Sequence, residues 1–475
     1  MAFNNDFRDK LKKYGQEQLL HFENTLDEKQ KEKLHGQLQA IDWEYMDSLI
    51  RDFVLQKRET EIPHDLQAPF IFRCIPENEK QAGYYREAVK EGVRLISGGK
   101  VAVLTVAGGQ GTRLGYDGPK GKFPITPING KPLFRYSAEK LVRAGRKYST
   151  SLKWFIMTSD ANDRETKEFF KENNYFGLKS AQVVFFTQGM MPAVDYSGKI
   201  LMESEDSLAL SPNGHGGTLL ALRDCGCLDK MKADGVDHIS YFQIDNPLVS
   251  PLNPLFIGLH CLENSDMSSM SLAKTGPYEK LGNFCISDGK MQIIEYSDMP
   301  AELAEKRKED GRLLFEAGSP AIHIFRLDFI QRLTKDGKLK LPWHRADKKV
   351  AFVDEKGSLL KPEKPNAVKL ETFIFDALPF AQNPMILEGK RELEFSPVKN
   401  PEGVDSVVSC RRMLIDKDAA MMEKAGVKIP RNADGAISCK IELSPLSFLD
   451  VEDVVEYFKT AKVPELEKGK EYYFE

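Results

Sequence analysis

Residues 101–123 read VAVLTVAGGQGTRLGYDGPKGKF, in which seven apolar or small residues run straight into Gly108 and Gly109. Such a run reads as a strand. The loop after it carries Arg113 and Lys120, while Gly115, Gly118, Pro119 and Gly121 forbid a long helix there. Glycines in this position permit positive φ and close approach by another group, and their bare amide N–H groups make an anion site. A Walker-type loop requires G-x-x-x-x-G-K-[S/T], and the nearest match, Gly121-Lys122, has Tyr116 where the first glycine belongs. A dinucleotide fingerprint finds G-x-G-x-x-x-G in Gly109, Gly111 and Gly115, but needs a helix that opens at once. A third reading lays a nucleotide along the glycines, with Arg113 and Lys120 on its phosphates. The plain alternative is an ordinary turn.

The composition narrows the class. With 475 residues, 41% of them hydrophobic, the chain is long enough for roughly two to four soluble domains. A net charge of −4 without a Lys/Arg-rich run gives no support for nucleic acid or an anionic membrane as the main partner, so any strong positive potential is local. No apolar run reaches the ~18 residues of a membrane span. The start MAFNNDFRDKLKKYGQ lacks the apolar core of a secretory signal. Seven cysteines, an odd count scattered from Cys74 to Cys439, point to reduced thiols in a cytoplasm. Cys225 and Cys227 form the only close pair, with no second Cys/His pair nearby to complete a zinc site.

Hydrophobic spacing predicts helices over residues 1–60 and again at about 80–97, with Pro63, Pro69 and Pro76 between them. From residue 100 the β-rich runs VAVLTVA, WFIMTS, QVVFFTQ and HISYFQID alternate with helical stretches near 134–146, 161–173 and 216–223. That alternation predicts an α/β domain with a mostly parallel sheet. The runs MSLAKTG, GNFCIS and KMQIIEYS between 268 and 300 read as an antiparallel excursion. A helix near 404–425 and the run ISCKIELSPLSF close the chain. The expected organisation is a helical unit at 1–97, a central domain at 98–402 and a small C-terminal domain at 403–475.

The segment AGGQGTRLGYDGPKGKFPI resembles the signature loop of the UTP-dependent sugar-1-phosphate uridylyltransferases, the eukaryotic-type UDP-N-acetylglucosamine and UDP-glucose pyrophosphorylases. FFTQGMMPA, SPNGHGG, FQIDNPLV, MQIIEYSDMP, GRLLFEAG, KPNAVKLETFIFDAL and EFSPVKN follow in the family's order, and YGQEQLLHF looks like the N-terminal helix of the N-acetylglucosamine branch. The resemblance implies a Rossmann-like nucleotide-diphospho-sugar transferase domain with a mixed, mostly parallel sheet. It also implies a reaction: a sugar 1-phosphate oxygen attacks the α-phosphorus of UTP in line, and pyrophosphate leaves. The nucleophile is already an anion, so catalysis becomes positioning plus electrostatic stabilisation, without a general base.

Site roles follow from the same resemblance. Arg113, Lys120 and Lys399 would act on the phosphates as catalytic cations, with Lys369 a further phosphate contact. Asp245, after the strand YFQID, would bind nucleotide through Mg²⁺, a hard ion that commonly takes one or two carboxylates and completes its shell with phosphates and water. Gln188 would read the uracil edge with its amide donor and acceptor, supported by Ala107, Gly108, Gly109 and Gly214. Glu295 and Tyr296 would meet the sugar. Taken singly, Lys399 reads as a surface lysine and Glu295 as a solvated strand residue, whereas Asp245, an acid at the carboxyl end of a parallel strand, faces the crevice where α/β sheets bind ligands, with a helix N-cap as the alternative.

Two positions depart from the N-acetylglucosamine branch, which carries asparagines facing the sugar where this chain has His215 and Ser319. The UDP-glucose enzymes have Gly-His-Gly at the first. A neutral His215 would donate to a sugar hydroxyl, and a charged one would approach phosphate; between glycines it has little apolar surface to pack against. N-acetylglucosamine 1-phosphate and glucose 1-phosphate therefore both stay open. A non-catalytic homologue and a Rossmann oxidoreductase are the rival classes.

Overall fold

Val101–Val106 forms strand β1, with all but its last residue buried, as an apolar run flanked by strands on both edges requires. The computed structural model describes residues 5–56, 62–63, 65–337, 339–463 and 465–475. Residues 1–4 and 57–60 of the expected helical stretch lie outside them. Strand β1 belongs to a ten-stranded sheet with β2 (Trp154–Thr158), β3 (Val183–Thr187), β4 (His238–Gln243), β5 (Met267–Ala273), β6 (Gly282–Ser287), β7 (Lys290–Ile294), β8 (Ala317–Ser319), β9 (His323–Arg326) and β10 (Met385–Glu388). The order is β7-β6-β8-β5-β9-β4-β1-β2-β3, with β10 beside β5.

The sheet is mixed, as the pattern predicts, and its parallel strands are gathered on one side. Strands β4, β1, β2 and β3 run parallel, with Val103 opposite both Trp154 and Ser240. From β4 to the β7 edge every ladder is antiparallel, and β10 pairs parallel to β5. The expected excursion is thus the hairpin β6–β7. The run MSLAKTG does not pair with it, because β8 lies between β5 and β6. Helices Glu79–Ser97, Leu133–Lys147, Asp163–Glu172, Thr218–Asp224 and Val407–Lys424 stand where the spacing places them.

The chain divides into two compact units, but not at 97 and 402. One comprises Met1–Ile62, Gln188–Thr218 and Leu339–Asp376; the other comprises Pro63–Thr187, Leu219–Lys338 and Ala377–Glu475. The reason is where the apolar stripes find partners. In the first unit Leu11, Leu34, Leu38, Trp43 and Met46 share a core with Val194, Ile200, Met202, Val368 and Leu370. Helix Glu79–Ser97 instead packs within the sheet unit. Residues after 403 keep their own cluster around Ala419, Met422, Ile441 and Val454, yet are bound into the sheet unit by buried polar bonds. Lys131 Nζ donates to Glu139 at 2.6 Å, to Ser444 Oγ at 3.2 Å and to the Tyr473 hydroxyl at 3.1 Å. Glu442 accepts the amides of Ile128 and Asn129 at 2.8 and 2.9 Å.

Helices Glu79–Ser97 and Pro254–Leu262 meet backbone to backbone. A Cβ on Gly258 would lie 1.6 Å from the Ala88 carbonyl oxygen, and one on Gly92 would lie 1.9 Å from that of Pro254. Neither obstacle is a movable side chain. Gly258→Ala is therefore expected to destabilise the sheet unit by about 3 kcal/mol, measured as a lower denaturant midpoint at unchanged slope.

Candidate active site

Parallel pairing brings two loops to one place. Val106 faces Gln243 in register, so the segments leaving β1 and β4 emerge side by side at the carboxyl end of the sheet, where α/β proteins bind ligands. The Ile244 amide donates to Val106 O at 3.1 Å and extends that pairing. The glycine loop then folds back on itself: Gly111 N donates to Gly118 O at 2.9 Å and Lys120 N to Gly109 O at 3.1 Å. Gly118 has φ +126°, open to glycine, and a Cβ on Gly121 would lie 2.1 Å from the Phe134 ring.

The carbonyls of this loop are held from behind by residues the sequence reading did not single out. Asn162 Nδ2 donates to Ala107 O at 3.0 Å and to Gly109 O at 3.3 Å, and Ser159 Oγ donates to Gly108 O at 2.8 Å. Among the described residues no acceptor takes the amides of Gly108 or Gly109, and nothing lies within 4 Å of a Cβ built on Gly109. With carbonyls tethered and amides bare, the loop presents donors, the polarity an anion requires. The available signal was Ser159 and Asn162 directly after a strand; a side chain that caps a neighbouring loop has no fixed spacing to recognise.

Lys120 Nζ lies 3.3 Å from Asp245 Oδ2, with side chains 18% and 15% exposed, so both are accessible but largely desolvated. Asp245 sits in the turn just past β4 rather than in the strand, and the next helix, Pro254–Leu262, is capped by Asn253, which removes the N-cap reading. The Val398 amide donates to Asp245 O at 2.8 Å, setting Lys399 next to this turn. Lys399 is 40% exposed and its ammonium lies 3.4 Å from Asp405. Ala107, Gly108, Gly109, Lys120, Asp245 and Lys399 are thus brought together within one unit. Arg113 lies on the same loop, exposed, with no ion pair among the described residues.

Glu295, Tyr296 and Ser319 belong to the antiparallel side of the sheet. Ser319 stands opposite Gly282 and Ile294 opposite Asn283, so Ser319 and Glu295 flank the same end of β6, while β5 and β9 separate β8 from β4. Tyr296 is exposed.

Gln188, Gly214, His215 and Lys369 belong to the other compact unit and are joined there. Asn213 N donates to Gly189 O at 3.1 Å, and Thr372 N donates to Asn213 O at 2.8 Å. A Cβ on Gly214, which has φ +83°, would lie 2.3 Å from Thr372 O, so only glycine fits this crossing. Gln188 is buried. Lys369, half-buried in the strand Ala367–Glu371, has no ion-pair partner among the described residues, and burial holds its ammonium below the usual lysine range.

His215 differs from the expectation of little apolar surface. Its ring stacks on Phe373 at 5.3 Å and meets Phe375 at 5.9 Å. Burial, with His344 adding to it, pushes the imidazole down to about 4, so the charged, phosphate-facing form is excluded near neutrality. The Ile374 amide donates to His215 Nδ1 at 3.1 Å, which leaves the ring proton on Nε2 and makes that nitrogen a donor. A base whose folded value lies below its ordinary 6.5 binds fewer protons folded than unfolded, so its stabilising share is complete above about 6.5 and is lost as pH falls toward about 4. Compared with His215→Asn, the native chain is expected to lose at most about 3 kcal/mol more stability across that window, read from paired denaturation curves.

The family described as UTP–glucose-1-phosphate uridylyltransferase matches residues 36–473. The human UDP-N-acetylhexosamine pyrophosphorylase-like protein 1 is 36% identical over 477 aligned positions, covering 94% of this chain and 93% of that protein. The UDP-N-acetylglucosamine pyrophosphorylase of Saccharomyces cerevisiae is 32% identical, covering 90% of this chain and 93% of its own. The crystal structure of the uridine diphosphate N-acetylglucosamine pyrophosphorylase of Trypanosoma brucei, solved with an inhibitor, superposes with a TM-score of 0.81 at 26% identity, covering 97% of this chain and 96% of that one. Fold and site thus define a nucleotidyltransferase of α/β architecture. The chain belongs to the UTP–glucose-1-phosphate uridylyltransferase family, whose reaction makes a UDP-sugar. Nothing in these matches favours the oxidoreductase or the non-catalytic reading.

Proposed function

We propose that this chain transfers the uridylyl group of UTP to an N-acetylhexosamine 1-phosphate, releasing pyrophosphate, with Mg²⁺ as cofactor. The observation that carries the reading is the Lys120–Asp245 pair at 3.3 Å beside the bare Gly108 and Gly109 amides. The reaction must gather several negative charges at one point, and this turn offers cations, amide donors and one carboxylate. The choice of sugar follows the relatives, which are named for N-acetylated substrates across nearly their full length.

The donor set fits the ion. No group of three or more His, Cys, Asp or Glu side chains that could hold a metal occurs among the described residues. A single accessible carboxylate suits Mg²⁺ that keeps its water and shares substrate phosphates. Asp245 would hold it, and when bound it supplies charge neutralisation between the phosphates of the two substrates. The chain's own groups do the rest. Arg113, Lys120 and Lys399 neutralise phosphate oxygens, the glycine amides donate to an anionic oxygen, and the tethered carbonyls keep those amides turned outward. In the other unit Gln188 offers uracil a donor and an acceptor, Lys369 a further cation, and His215 Nε2–H a donor for a hydroxyl. Glu295, Tyr296 and Ser319 are the candidate sugar contacts of the sheet's antiparallel side.

His215 and Ser319 favour a second reading, glucose 1-phosphate, because a pocket built to hydrogen-bond an acetamide penalises a ligand lacking it, whereas a roomy one discriminates weakly. Pyrophosphate release with the two sugar phosphates side by side decides. The proposal expects higher kcat/KM for the N-acetyl sugar, and His215→Asn to widen that preference about tenfold; a preference for glucose 1-phosphate overturns the choice of sugar. No helix among the described residues is long and apolar enough to cross a membrane. A cytoplasmic setting is part of the proposal, supported by free cysteines throughout the described residues.

A further inference from the structure

A cavity of about 700 Å³ in the sheet unit is lined by none of the residues assigned above to nucleotide, sugar or metal. Its walls include Leu141, Leu252 and Met421, and its innermost charged groups are Lys140, Lys417 and Glu394. These three hold the loop that follows Asp245. Lys140 Nζ donates to Pro247 O at 2.6 Å and to Val249 O at 2.8 Å, and Lys417 Nζ to Leu248 O at 3.1 Å. Glu394 accepts the Ser250 amide at 3.1 Å on its carboxylate and Asn246 Nδ2 at 2.7 Å on its backbone carbonyl. Asn246 Oδ1 in turn accepts the Ser396 amide at 2.9 Å, two residues before the Val398 amide that holds Asp245 O. Every residue from Asn246 to Ser250 is therefore tied, directly or through one bond, to a group lining this cavity.

The polar side is not saturated. An ammonium has three donors, and Lys140 uses two of them and Lys417 one on the loop carbonyls. Glu394 and, behind it, Asp418 stand against these two ammoniums, and Lys140 lies over the Tyr136 ring at 4.8 Å, so the donors left unused beside the apolar wall are chiefly those of Lys417. We propose that the cavity is a binding site for an organic anion with an apolar body, such as an aryl carboxylate or sulfonate. Its charged end meets Lys140 and Lys417 and loosens their grip on the 247–249 carbonyls. Burial holds both ammoniums below the usual lysine range, consistent with groups short of solvation. Occupancy then reaches the reaction through the position of Asp245, so the effect on turnover rests on the proposed function, whereas binding does not.

The probe is 8-anilinonaphthalene-1-sulfonate, an anion on an aromatic body, titrated by fluorescence into the full chain. Ala420→Trp puts an indole into the cavity from a half-exposed position of helix Val407–Lys424, and Lys424→Glu reverses an exposed cation at its rim. One saturable site is expected, weakened about tenfold or more by each substitution. The probe is also expected to lower kcat while the KM for UTP stays unchanged. Binding that neither substitution alters overturns the site, and inhibition that UTP relieves places the probe with the nucleotide instead. The fluorescence arm reads without turnover, so a chain that released no pyrophosphate would contradict the proposed function and leave the binding result to stand by itself.

Discussion

Asp245→Ala is expected to lower the Mg²⁺-dependent rate by about a thousandfold or more, because it removes the carboxylate assigned to the metal at the point where phosphate charge gathers. Stability should change little. The aspartate's backbone carbonyl, not its side chain, accepts the Val398 amide at 2.8 Å, so the turn keeps its anchor. The substitution strips Lys120 of its partner, but that ammonium is 18% exposed and reaches water, so the expected cost is about 1 kcal/mol. Steady-state rates across a Mg²⁺ series, with a denaturation curve on the same preparation, measure both. A variant with native Mg²⁺-dependent turnover would remove Asp245 from the metal's shell.

Lys120→Met carries two effects of opposite sign. In its proposed role as a phosphate cation Lys120 would stabilise charge in the transition state, and its loss should cost roughly 10²–10³-fold in kcat/KM. As the partner of Asp245 at 3.3 Å it also competes with any cation for that carboxylate. Without it, Mg²⁺ binding in the absence of nucleotide should tighten about tenfold. Calorimetric Mg²⁺ titration and the rate assay together separate this account from a surface lysine, which would move neither quantity, and from a purely structural pair, whose loss would lower stability first.

The chemistry was legible where it is local. The glycine loop with Arg113 and Lys120 stood out because its residue types lie at short spacing, Asp245 entered through the resemblance, and a parallel α/β pattern sends the ends of β1 and β4 to one edge. Even the antiparallel hairpin β6–β7 was visible in its turn. What could not be read depends on partners far apart in sequence. The unit boundaries follow from Leu11, Leu38 and Trp43 finding Val194 and Val368, a pairing no linker composition records. Asn162 and Ser159 tether the loop from some fifty positions away, and Lys140 and Lys417 hold the 247–249 carbonyls from opposite sides in the chain. His215 shows the same limit: its glycine neighbours suggested an open ring, whereas Phe373 and Phe375, distant in sequence, pack on it, and burial holds its imidazole below the usual histidine range.

The most direct test of uridylyl transfer is pyrophosphate release by the unmodified chain, with UTP, Mg²⁺ and a sugar 1-phosphate supplied together and with each omitted in turn. The account predicts release only when all three are present, with one UDP-sugar formed per pyrophosphate. Release from UTP without the sugar phosphate, or none with either N-acetylglucosamine 1-phosphate or glucose 1-phosphate, would contradict it.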